Sequence, residues 1–128
     1  MFGNISRTKL LDEKDFALAT ELTSCAPGFF AAIFREFVER ALRHTNSISN
    51  EDAYDMVLHT LSGTVSLMLE KKISFEEVIA RVATKGGITE EGVKVIKAGL
   101  PQMFDEMFDR TMEKRNMISD KVNKEFSE

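Results

Sequence analysis

Pro27-Gly28-Phe29-Phe30-Ala31-Ala32-Ile33-Phe34-Arg35-Glu36-Phe37-Val38-Glu39-Arg40-Ala41-Leu42 decides the fold class. Its apolar residues Phe30, Ile33, Phe34, Phe37, Val38, Ala41 and Leu42 recur at i, i+3, i+4 and i+7, while Arg35, Glu36, Glu39, Arg40 and Arg43 take the other side. That is the period of an amphipathic α-helix, and Pro27 suits its first turn, where a missing N–H breaks no helical bond. Upstream, Asp12 is placed to cap a short helix to roughly Thr23 with Phe16, Ala19 and Leu22 on one face. Downstream, Asn46-Ser47-Ile48-Ser49-Asn50 is turn chemistry, and Ser49 or Asn50 suits the cap of a third helix reaching about Lys71. Ser74-Phe75-Glu76-Glu77 has capping-box spacing and opens a helix to about Ala83. Thr89 is the expected cap of a fifth helix, with Val93 and Ile96 inward and Gly99 as its stop. Pro101 then begins a long last helix carrying Phe104, Met107, Phe108, Thr111, Ile118 and Val122. Residues 2–11 have no helical period, and no strand pattern appears after residue 11. The expected fold is all-α, with about six helices.

The length of 128 residues fits one domain with one core. Hydrophobic residues make up 43% and charged residues 30%, the proportions of a globular chain. A net charge of −4 without a basic cluster argues against nucleic acid as a partner. One cysteine, Cys25, excludes an internal disulfide framework and a cysteine-rich zinc site, and is compatible with a reducing cytoplasm. Met1-Phe2-Gly3-Asn4-Ile5 lacks the apolar run of a signal peptide. The longest charge-poor run, residues 56–69, is 14 residues with His59, Ser62 and Thr64 inside it. That is short for a bilayer, so a soluble, cytoplasmic protein without a membrane partner is expected.

The same run bears on assembly. It is apolar or small on nearly every face, and Thr60, Ser62, Gly63, Thr64 and Ser66 permit close backbone approach. A helix of this kind needs cover on several sides, either as the central helix of a monomer or in a symmetric homodimer. Val57, Leu61, Gly63, Thr64, Val65 and Met68 are its candidate dimer-interface residues.

Few residues carry recognisable chemistry. His44 and His59 fall on separate predicted helices, and no metal-ligand spacing joins them to carboxylates. Cys25 lies close to a helix start but has no evident base, so a packed thiol is the simpler reading. Asp105, Glu106, Asp109 and Glu113, with Arg110 and Lys114, read as a solvated, salt-bridged helix face. Neither G-x-G-x-x-G nor G-x-x-x-x-G-K occurs. The exception is Thr84-Lys85-Gly86-Gly87-Ile88-Thr89, which puts a glycine pair between two hydroxyl residues at a helix start. Amides there are unpaired, and glycines let a carboxylate or phosphate approach. The plain alternative is a helix connector in which Glu90 and Glu91 offset the dipole.

Residues 80–92 resemble the Val-x-Ser-Pro-Gly-Gly-Thr-Thr loop of pyrroline-5-carboxylate reductases. Thr23-Ser24-Cys25-Ala26-Pro27-Gly28-Phe29 falls where that family has Ser-Gly-Ser-Gly-Pro-Ala-Tyr. Leu61-Ser62-Gly63-Thr64-Val65 and Met68-Leu69-Glu70 are similar to its long central helix, and Phe2-Gly3-Asn4-Ile5 to the end of its last dinucleotide-domain strand. The likeness keeps register over nearly the whole chain. Ser24 and Ala26 replace two family glycines, Lys85 replaces the loop proline and Thr84 its serine. Lys71 and Lys72 occupy the region of an acidic residue implicated in catalysis, so no catalytic residue is assigned. The segments around Ser24-Cys25, Phe29-Phe30, Lys85-Gly86-Gly87 and Met107-Phe108-Asp109-Arg110-Thr111 look most like the late competence ComER branch.

The resemblance implies the C-terminal helical domain alone, of the 6-phosphogluconate dehydrogenase C-terminal-like type, forming an intertwined dimer. Residues 1–11 would be a remnant of the linker or last strand of an N-terminal dinucleotide-binding domain, and residues 12–128 the dimerisation domain. Thr84, Lys85, Gly86, Gly87 and Thr89 would bind the carboxylate of a small cyclic imino or amino acid. NAD(P)H would belong to the parent enzyme, with no cofactor or metal held by this chain and no hydride transfer from it alone. A second reading is a reductase-derived interaction or regulatory protein without catalysis.

Overall fold

The computed structural model describes residues 12–127, with side chains to residue 125. The expectation for residues 1–11 lies outside them. Every regular element among the described residues is helical, as the periodicity requires, and the described residues divide into two compact units, residues 12–70 and 71–127.

In the first unit, Asp12 caps α1 (Glu13–Thr20), its Oδ1 accepting from the Asp15 N–H at 2.8 Å. The sequence predicts a break before Pro27, but the chain stays helical. A π-helical turn, Glu21–Cys25, leads directly into α2 (Ala26–Ala41), with Pro27 in its first turn. Proline inside a continuous helix loses an N–H and crowds the carbonyl four residues back. A widened turn immediately ahead of it relieves that crowding. A 3-10 turn, Leu42–His44, ends this stretch. Thr45 Oγ1 then accepts from the N–H groups of Ser47 and Ile48, both at 3.2 Å, and organises the loop. Of the two candidate caps, Ser49 is the one used: its Oγ accepts from the Asp52 N–H at 3.1 Å and opens α3 (Asn50–Lys71).

In the second unit, Lys72 adopts φ 55°, the left-handed conformation that usually closes a helix with glycine. Lys72→Gly should therefore stabilise the protein by about 0.5–1 kcal/mol, read from denaturant melts. An unchanged midpoint would show that Lys72 is unstrained. Ser74 caps α4 (Phe75–Val82), its Oγ accepting from the Glu77 N–H at 3.2 Å. Glu77 also pairs with Arg81 at 3.2 Å, one turn on.

Two expectations for the last segment are corrected. α5 runs unbroken from Ile88 to Ser127, so Gly99 is no stop and Pro101 lies inside the helix rather than at a start. One proline removes one N–H, whose lost partner is the carbonyl of exposed Lys97, where water is available. Thr89 does not cap either: the helix begins at Ile88, which puts Thr89 within its first turn.

Burial is sparse. Among the described residues, the buried hydrophobics are Ala26, Val38 and Ile73, and buried Glu21 stands at the start of the π turn. Phe30 and Phe37 of α2 remain more than half exposed, although they belong to the same apolar arc as buried Val38. Ile96 of α5, expected inward, is also exposed, while Val93 is half-buried. Among the described residues, the apolar arcs are wider than the surface that is covered.

Candidate functional site

The loop between α4 and α5 is two turns in series. Ala83 has φ −87° and ψ 78°, and the Thr84 N–H donates to the Val82 carbonyl at 3.1 Å, an inverse γ-turn. Next, the Gly87 N–H donates to the Thr84 carbonyl at 2.9 Å, with Gly86 at φ 79°. A positive φ at the third position marks a type II turn, which also suits proline at its second position, here Lys85.

The two glycines are required for different reasons. Gly86 supplies a conformation that a side chain disfavours. Gly87 has an ordinary φ, but a Cβ on it would stand 2.7 Å from Thr84 Oγ1 and 3.1 Å from the Thr84 carbonyl oxygen. Thr84 therefore lies tightly over Gly87, an approach that glycine alone allows.

Thr84, Lys85, Gly86 and Gly87 form this turn, and Thr89 follows within the first turn of α5. The helix start offers unpaired amides and the positive end of a dipole, beside a lysine. Such an arrangement can hold a carboxylate. Sequence reading missed one participant. The Gly86 N–H donates to Glu90 Oε1 at 3.3 Å, and Glu90 also lies 3.7 Å from Lys94, which pairs with Glu91 at 3.2 Å. The available signal was the four-residue step from Gly86 to Glu90, which one helical turn spans.

The candidate interface residues of α3 separate into two groups. Val57, Leu61, Thr64 and Met68 form one half-buried stripe at helical spacing, whereas Gly63 and Val65 are exposed. Leu58, Val65 and Leu69 form a second stripe, 60%, 51% and 72% exposed, of which sequence reading singled out only Val65. Periodicity marks both stripes as apolar and does not distinguish which one the chain itself covers.

His44 and His59 lie on different elements, both exposed. Arg110 pairs with Glu106 at 2.9 Å, in keeping with a solvated, salt-bridged face. The same helix bears a groove of about 400 Å³ lined by Arg110, Thr111, Lys114, Arg115 and Ile118.

Residues 13–118 match the family described as pyrroline-5-carboxylate reductase dimerisation. The chain belongs to that family. It is 48% identical over 120 residues to pyrroline-5-carboxylate reductase 3 of Bacillus subtilis (strain 168), covering 94% of this chain and 44% of the relative. ComE operon protein 4 of the same organism is 28% identical over 126 residues, covering 98% and 46%. The pyrroline-5-carboxylate reductase of Methanobrevibacter smithii is 33% identical over 97 residues, covering 75% and 38%. The chain thus spans less than half the length of these relatives. No solved structure matches it.

Proposed function

We propose that this chain is the dimerisation and substrate-carboxylate half of a pyrroline-5-carboxylate reductase-like, NAD(P)H-dependent oxidoreductase. The observation that carries the reading is the Thr84–Gly87 turn: Gly86 at φ 79° and the close approach of Thr84 to Gly87 hold the chain tightly at the start of α5, where the first-turn amides of a helix lack intrahelical partners. Thr84, Lys85, Gly86, Gly87 and Thr89 orient a ring carboxylate there through amides, hydroxyls and a lysine charge. The nicotinamide cofactor supplies the hydride when bound, and a separate dinucleotide-binding domain of the parent enzyme holds it. This chain's own part is to bind and orient the acid, and alone it transfers no hydride.

A second copy covers the exposed apolar faces. The accessible surface is 10,993 Å², against about 6,900 Å² for a self-contained monomer of this mass. The excess is roughly 4,000 Å² on one chain, about 8,000 Å² on a pair, above the roughly 2,000–5,000 Å² in total that obligate dimers commonly bury. The stretch Glu13–His44 has a mean hydropathy of 1.4 over its most apolar window, long and apolar enough to cross a membrane, with 11% of that window buried. We read this exposure as dimer surface, with Leu58, Val65 and Leu69 beside the half-buried stripe of Val57, Leu61, Thr64 and Met68.

Titrating the isotopically labelled 128-residue chain with L-proline should move the Gly86 and Gly87 amide signals. Sedimentation in detergent-free buffer should show a dimer at micromolar concentration. Unmoved amides at millimolar L-proline, with the dimer intact, would instead support a reductase-derived interaction protein, the reading that the likeness to ComE operon protein 4 favours. A monomer would remove the dimer proposal.

A further inference from the structure

We infer that Glu90 is an internal competitor for the carboxylate site of the Gly-Gly turn, a regulatory contact that rests on the carboxylate reading above. The Gly86 N–H donates to Glu90 Oε1 at 3.3 Å. A ligand carboxylate accepting from Gly86 requires that same hydrogen, and one N–H makes one good hydrogen bond. Glu90 and the ligand therefore exclude each other at this amide. Glu90 also brings a full negative charge to the helix start, where the dipole favours one anion and a second meets repulsion.

The contact is built to open. The Glu90 side chain is 32% exposed, and its bond to Gly86 is long. Lys94 Nζ already lies 3.7 Å from Glu90 Oε1, so a displaced carboxylate has a cation one turn along the helix. Glu91 provides the comparison. It is 74% exposed and bonds to Lys94 rather than to the turn, so it carries the same charge at the neighbouring position without the amide contact.

The test measures L-proline binding to the full chain and to its Glu90→Ala, Glu90→Gln and Glu91→Ala variants, by amide titration, with helix content checked by circular dichroism. Freeing one amide should tighten binding by about fivefold in Glu90→Ala. Glu90→Gln, which keeps a weaker neutral acceptor, should fall between it and the parent chain. Glu91→Ala should stay within about twofold of the parent, as for an exposed charge. Binding by Glu90→Ala where the parent chain shows none also supports the inference. Equal affinity of the parent and Glu90→Ala overturns it and leaves the carboxylate site standing. Equal gains in Glu90→Ala and Glu91→Ala overturn it too, because net charge alone would then explain the effect. If no protein binds L-proline, the carboxylate reading fails and takes this inference with it.

Discussion

Val65→Asp should dissociate the proposed dimer and unfold its protomers. Val65 lies midway along the exposed α3 stripe of Leu58, Val65 and Leu69, and 51% of it is accessible in the single chain. Placed in an interface between two copies, an aspartate loses the burial of the valine and puts a carboxylate against apolar surface. The combined cost is on the order of 3 kcal/mol per copy. Symmetry doubles it to about 6 kcal/mol, which weakens a dimer about ten-thousandfold. A freed protomer has little to hold it folded, since Ala26, Val38 and Ile73 are its buried hydrophobics among the described residues. Loss of helical signal at micromolar concentration should therefore accompany loss of the dimer in sedimentation. The parent chain should in turn melt at a temperature that rises with protein concentration. If Val65→Asp sediments and melts as the parent does, this face of α3 is not the interface.

Gly87→Ala should cost about 2 kcal/mol, a fall of roughly 8 °C in melting temperature at fixed concentration. Its Cβ would stand 2.7 Å from Thr84 Oγ1 and 3.1 Å from the Thr84 carbonyl oxygen. The hydroxyl can rotate away, but the carbonyl is held by the Gly87 N–H at 2.9 Å and cannot leave without opening the turn. Adding Thr84→Ala removes the shorter contact and leaves the longer one. The double variant should thus recover part of the loss, and the two changes should not add. A Gly87→Ala protein with the parent's melting temperature, or one that Thr84→Ala destabilises further, would show that the close approach is unimportant.

The loop shows how far its own residues specify it. Gly86-Gly87 after Thr84-Lys85 is enough to expect a turn at a helix start, and the structure has one. The roles inside it were not legible. Thr89 has the right chemistry for a cap, yet α5 begins one residue before it, and Glu90 reaches back to the Gly86 amide. A side chain's choice between solvent, Lys94 and a backbone amide depends on the angle at which the turn enters the helix. Composition does not encode that angle. Pro27 and Pro101 show the same limit. Pro27 stands in the first turn of α2 as read, but no break precedes it, and Pro101, read as a start, lies inside α5, because a widened turn or solvent accommodates a single lost bond.

What the sequence determined by itself was everything that operates within about one helical turn. Periodicity specified helices, and Asp12, Ser49 and Ser74 opened three of them through hydrogen bonds to amides three residues on. Only the tertiary structure decided where those helices run together and which stripe of α3 stays uncovered. It also set Thr84 over Gly87 and Glu90 on the turn. The reason is range: capping and period are local, whereas burial depends on what packs against a face. Leu58, Val65 and Leu69 stay exposed among the described residues.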